Sequence, residues 1–184
     1  MGYINKKFLR NLVEKVCNNN SSNNSNSNDD IFFMQQALQQ AKKAAKIGEV
    51  PVGAIITKNK KIIATGFNRC IIDNDSTAHA EIVAIRAAES ILQNYRLTDC
   101  EMFITLEPCL MCAGAIFNAR LSRIVYACQD FKSGVHKSLP NFDVFFDNRL
   151  NIGNKTKIVG GICQNQSLEL LQNFFKNKRS KEKI

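Results

Sequence analysis

The stretch M-F-I-T-L-E-P-C-L-M-C, residues 102–112, constrains the fold of this chain more than any other. M-F-I-T-L is a short apolar run of strand type, and A-G-A-I-F-N-A-R beyond Cys112 continues at helical spacing to about Ala119. L-E-P-C-L-M-C therefore ends a strand and starts a helix. Cys109 and Cys112 stand three positions apart at that start, so both thiols lie on one helical face and reach one metal ion. Two ligands do not fill a tetrahedral site, so the rest of the chain must bring more.

The surrounding sequence alternates strand and helix patterns. From Asp30, an expected N-cap, F-F-M-Q-Q-A-L-Q-Q-A-K-K-A-A-K has apolar residues at helical spacing and ends at Gly48. V-P-V-G-A-I-I-T and I-I-A-T-G-F flank the turn K-N-K-K as a hairpin, with Pro51 at its entrance. A helix from about Ala78 to Leu92 precedes the cysteine segment, and a strand at 123–127 follows it. A loop rich in Gly, Pro and Asn runs from 128 to about 155. K-I-V-G-G-I offers a last short strand, and L-E-L-L-Q-N-F-F-K-N-K-R an amphipathic terminal helix. This order predicts an α/β layered sheet covered by helices on both faces.

S-T-A-H-A-E-I-V-A-I-R-A-A-E-S, residues 76–90, has the Ala and Ile rhythm of a buried helix, yet opens with His79 and Glu81. His79, one of two histidines in the chain, is the natural third ligand. It sits at a helix N-terminus after a loop, where an α/β sheet places its binding groups. Three protein ligands and one open position make a catalytic zinc site, because structural zinc is normally closed by four. The helix start favours thiolate at Cys109, in the same direction as the metal. Glu81 is then a proton carrier beside a zinc-activated water. Two plainer readings compete with this one. Cys-x-x-Cys alone fits a thioredoxin-like redox pair, and a lone buried histidine usually bonds a backbone group. Neither explains His79 and Glu81 together.

Composition bounds the partners. The 184 residues, 45% hydrophobic, suffice for a single core, and a net charge of +9 makes a polyanion such as nucleic acid a reasonable partner. Seven cysteines, an odd number without a signal-peptide pattern ahead of them, fit reduced thiols in the cytoplasm. No run of 18 apolar residues exists to span a membrane. N-N-N-S-S-N-N-S-N-S-N, residues 18–28, has nothing apolar to bury and reads as a flexible linker. Residues 1–28 are thus expected to be an extension, and residues 29–184 the folded domain. The first 17 residues are basic and amphipathic with Glu14 their one acid, which leaves organelle targeting open.

H-x-E followed by P-C-x-x-C is the compound signature of the zinc deaminases. The chain resembles these nucleoside and nucleobase deaminases, and most of all the bacterial-type tRNA-specific adenosine deaminases, over about residues 31 to 179. Similar segments include E-V-P-V-G-A-I, G-F-N-R, T-A-H-A-E-I-V-A-I-R, N-Y-R-L-T, I-T-L-E-P-C-L-M-C-A-G-A-I and the terminal F-F-K-N-K-R. The resemblance implies a cytidine-deaminase-like three-layer α/β/α sandwich with a five-stranded mixed sheet, one zinc ion per subunit, a homodimer and no membrane association. It implies deamination of the wobble adenosine to inosine in the tRNA anticodon stem-loop. By the same resemblance His79, Cys109 and Cys112 hold zinc, and Glu81 shuttles protons. Asn68 and the backbone N–H of Ala80 bond the flipped base, and Val52 and Leu106 wall the pocket. Asp130, Lys132 and Ser133 hold neighbouring nucleotides. Phe174, Phe175, Lys176, Lys178 and Arg179 place aromatic rings and cations together for RNA contact.

Ser76 stands where the family often has Pro, and Gln129 where Arg is frequent before Asp130. His136 carries no assigned chemistry, and the remaining cysteines read as reduced structural thiols. Two other functions fit parts of the pattern: a deaminase of a free base or nucleoside, and a zinc-stabilised RNA-binding protein without catalysis. Positive charge and a basic terminal helix favour RNA over a free base. An intact Glu81 beside an open zinc position favours an enzyme over a binder.

Overall fold

The computed structural model describes residues 28–138 and 156–181. Along the chain run α1 (Asn28–Lys46), β1 (Gly53–Lys58), β2 (Lys61–Phe67), α2 (Ala80–Leu92), β3 (Cys100–Leu106) and α3 (Leu110–Asn118). Then follow β4 (Arg123–Cys128), the single turn α4 (Val135–Ser138), β5 (Lys157–Gly160) and α5 (Gln164–Lys181). The first 27 residues, with most of the Asn/Ser linker and the targeting pattern, lie outside the described residues, as do 139–155 of the long loop.

The strands form one sheet in the order β2-β1-β3-β4-β5. β1 is antiparallel to both β2 and β3, while β3, β4 and β5 run parallel. The β1–β2 hairpin turns through Asn59 and Lys60, whose φ of 50° and 58° match the two-residue turn that suits strand twist. Alternation along the strands sends side chains to two separate cores. Ile56, Met102, Ile104 and Ile124 pack under Ala84, Ile85 and Ala88 of α2 and Ile116 of α3. Ile55, Phe103 and Val125 face the other way, onto Phe33, Met34 and Ala37 of α1. Helices thus cover both faces, as the three-layer expectation requires.

Glycine allows two helices to approach the sheet very closely. A Cβ at Gly53 would collide with Ala37 and Ala41 of α1, and one at Gly66 with Ala80 and Ala84 of α2.

Helix α1 starts at Asn28, so Asp30 is not its N-cap. The Asp30 carboxylate is instead taken by Arg123 in a bidentate pair at 2.8 and 2.6 Å, and the same guanidinium reaches Glu101 at 2.9 Å. A long-range charge pair outweighs the local capping bond here, and it ties α1 to β4. The single turn α4 interrupts a segment whose Gly and Pro content read as loop throughout.

Candidate active site

Strands β2 and β3 both run antiparallel to β1, which separates them, so they deliver the chain to the same end of the sheet. His79 is the N-cap of α2 and Cys109 the N-cap of α3, both in extended backbone conformation. Cys112 lies one turn into α3. His79 Nδ1 stands 3.4 Å from Cys112 Sγ and 3.7 Å from Cys109 Sγ, and all three ligand atoms fall within 4.8 Å of one another. A nitrogen and a sulfur bound tetrahedrally to one zinc ion are about 3.5 Å apart, given bonds of about 2.0 and 2.3 Å. The donor set and its spacing therefore fit zinc.

The electrostatics agree. The hydrogen bond from Cys112, helped by His79, holds the Cys109 thiol down at about 4. Cys112 itself is pushed up, first by that shared hydrogen bond and then by burial. The hydrogen bond between His79 and Cys109 raises the His79 imidazole. Glu81, in the first turn of α2, is 3% exposed, and its Oε2 is the one buried side-chain oxygen or nitrogen among the described residues with no hydrogen-bond partner. Burial pushes its carboxyl up to about 7.

These groups open into a cavity of about 350 Å³, within the range of small-ligand sites. Val52, Asn68, His79, Glu81, Leu106 and Cys109 line it, joined by Asp130, Lys132 and Ser133 from the segment after β4. Asn68 Oδ1 accepts the Ala80 N–H at 2.9 Å, so in this structure that N–H orients Asn68. From α5 the lining residues are Leu168, Leu171, Gln172 and Phe175. Phe174 packs edge-on against Phe175 with ring centroids 5.4 Å apart and does not line the cavity. Lys178, exposed, and Arg179, half-buried, lie further along the helix.

Two buried carboxylates escaped the sequence reading. Glu107 is 4% exposed and lines the cavity. Glu49, 2% exposed, accepts the N–H groups of Ile71 and Ile72 at 2.7 and 2.9 Å and fastens the loop between Asn68 and His79. Their one sequence signal is a carboxylate next to an apolar strand segment.

Residues 27–128 match the family model for the cytidine and deoxycytidylate deaminase zinc-binding region. The chain is 45% identical over 144 residues, 77% of its length and 91% of the relative's, to the tRNA-specific adenosine deaminase of Buchnera aphidicola subspecies Schizaphis graminum. It is 39% identical over 148 residues to the enzyme of that name from Haemophilus influenzae, covering 80% and 83% of the two chains. A solved structure from a study of A-to-I editing by tRNA:A34 deaminases at the wobble position superimposes with a TM-score of 0.68 and 38% identity, over 76% of this chain and 99% of that one.

Proposed function

This chain belongs to the cytidine and deoxycytidylate deaminase family, and from that premise we propose that it deaminates the wobble adenosine of tRNA to inosine. The observation that carries the reading is a three-ligand site that fits zinc, with a buried carboxylate beside it whose Oε2 has no hydrogen-bond partner, in a chain 45% identical to a tRNA-specific adenosine deaminase.

His79, Cys109 and Cys112 would hold the zinc ion. When bound, zinc supplies a lowered pKa for water at its open position and polarises the reacting centre. The chain's own groups do the rest. Glu81 Oε2, desolvated and without a partner, takes one proton from the attacking water and delivers it to N1 of adenine, then takes the second from the new C6 hydroxyl and delivers it to the amine, which departs as ammonia while the C6 carbonyl forms. A carboxyl poised near neutrality can carry protons in both directions. Asn68, oriented by Ala80, presents its NH2 group to the base, and Val52 and Leu106 hold the base faces.

An anticodon loop suits such a pocket, because a base unstacks there at less cost than in a duplex. Asp130, Lys132 and Ser133 flank the opening and would hold nucleotides next to the target. Phe174 and Phe175 add ring surface, while Lys176, Lys178 and Arg179 offer cations for phosphates further out. The exposed Leu110 and Met111 beside Cys109 supply apolar surface for a homodimer. No helix among the described residues is long and apolar enough to cross a membrane, and the free thiols suit the reducing cytoplasm.

The test is inosine formation by zinc-loaded protein on an anticodon stem-loop carrying a wobble adenosine, with free adenosine, cytosine and guanine alongside. Conversion of the stem-loop alone is the expected result. Turnover of a free base with silence on RNA would keep the zinc chemistry and overturn the substrate.

A further inference from the structure

The reaction leaves Glu107 without a role, although its side chain is only 2% exposed. Burying a carboxylate costs several kcal/mol unless donors surround it, and here donors do. Oε2 accepts the Asp130 N–H at 3.0 Å, Oε1 accepts the His136 N–H at 2.8 Å, and His136 Nδ1 lies 2.8 Å from the same Oε1. With a carboxylate opposite it, Nδ1 is the protonated nitrogen. The imidazole also lies beside the Tyr126 ring, centroids 6.0 Å apart.

One carboxylate thus grips the segment from Asp130 to His136 at both ends. Between them the chain hugs the metal site: Val135 donates to the Pro108 carbonyl at 3.0 Å, and Gly134 forms a backbone bridge with Cys109. A Cβ on Gly134 would come within 2.6 Å of the Glu107 carboxylate. The held residue, Asp130, passes the order on. Its side chain accepts the N–H groups of Lys132 and Ser133 at 2.8 and 3.2 Å and the Ser133 hydroxyl at 2.5 Å. All three of these residues line the cavity.

We propose that Glu107 and His136 are positioning residues: together they clamp the wall formed by Asp130, Lys132 and Ser133 and so set the affinity for the nucleotides flanking the target base. The proposal rests on the tRNA reading above and assigns a job to a histidine that has none in the zinc chemistry. Neither residue touches the reacting atoms. Loss of the clamp weakens RNA binding while zinc and the proton carrier stay in place.

Three chains decide it: the parent, His136→Leu, which keeps bulk and loses the donor, and His136→Asn, whose Nδ2 falls where Nδ1 stands. Each is loaded with zinc and measured for metal content, for KM and kcat on the stem-loop, and for amide hydrogen exchange across residues 130–136. The Leu variant should keep its zinc, hold kcat within about two-fold, raise KM about ten-fold and exchange the 130–136 amides about ten-fold faster, the scale of one charge-assisted hydrogen bond. The Asn variant should recover KM and protection together. Unchanged KM and protection in the Leu variant, or no recovery with Asn, would overturn the clamp. Silence of the parent on the stem-loop would instead overturn the reaction assigned above, and the exchange measurement would still decide the clamp.

Discussion

Gly66 on β2 faces the first turn of α2, the turn that carries Glu81 and follows His79. In Gly66→Ala the new methyl would lie 2.6 Å from Ala84 N and closer still to the Ala80 carbonyl. Carbon normally rests 3.5 to 4.0 Å from such neighbours, so helix and strand must part by about 1 Å. Overfilling a packed contact of this kind costs about 1–3 kcal/mol. A misplacement of about 1 Å among catalytic groups costs about a hundred-fold in rate. β2 is the edge strand and can absorb part of the shift, which sets the lower end of both ranges. The variant is assayed by urea unfolding, zinc content and kcat/KM for inosine formation. Gly114→Ala is the control, because a Cβ there meets nothing within 4 Å and the residue lies inside α3. It should be neutral or stabilising by about 0.5–1 kcal/mol through helix propensity. If Gly66→Ala unfolds at the parental urea concentration and keeps parental kcat/KM, the close approach of α2 does not set the geometry of the site.

Four further outcomes follow from the same structure. Glu81→Gln should retain zinc yet lose about 10²- to 10⁴-fold in kcat, read from single-turnover inosine formation. In metal-free protein Glu81 titrates at about 7 when folded and at 4.5 in its ordinary state. The folded chain therefore keeps the Glu81 proton between those values, and this group's share of stability should fall by about 3 kcal/mol as pH rises through that window, against the opposite trend of the lowered Cys109 thiol. Glu81→Gln should lack that decline, which parallel urea titrations at several pH values would reveal. Chelation should abolish turnover and lower Tm, and stoichiometric zinc should restore both, whereas Cys112→Ser should no longer bind one zinc per chain at micromolar metal. Asp30→Asn breaks the bidentate Arg123 pair and should cost about 1–3 kcal/mol in urea with kcat unchanged, since α1 supplies no lining residue.

The clustering of His79, Cys109 and Cys112 was legible because a compound signature joins two locally spaced pairs, the thiols a turn of helix apart and His79 two residues before Glu81. Strand and helix positions followed from hydrophobic period, within a residue or two of the observed bounds for β4 and α3. Long-range partners outside that signature were not legible. Asp30 has the composition of an N-cap, but its partner is 93 residues away on β4. Glu107 looks like part of the cysteine motif, while its donors lie 23 and 29 residues further on. The choice between Phe174 and Phe175 turns on the rotation of α5 about its axis. That rotation is fixed by contacts invisible in the helix's own sequence, such as the Ser167 hydroxyl donating to the Thr105 carbonyl at 2.5 Å.

Glu107 holds one wall of the cavity, and Glu49 the loop between Asn68 and His79, largely through backbone N–H groups, which every residue except proline possesses. Apart from Asp130, Ser133 and His136, whose side chains take part in the clamp, the side chains on these segments are therefore uncoupled from the segments' position. Ile71 and Ile72 are 60% and 53% exposed although their amides are fixed. Such a rim can change its chemistry residue by residue, by drift or by design, without moving the metal floor beneath it. New substrate preferences should accordingly be easiest to select at positions 131 and 132, which line the cavity, and hardest wherever a substitution removes an amide hydrogen.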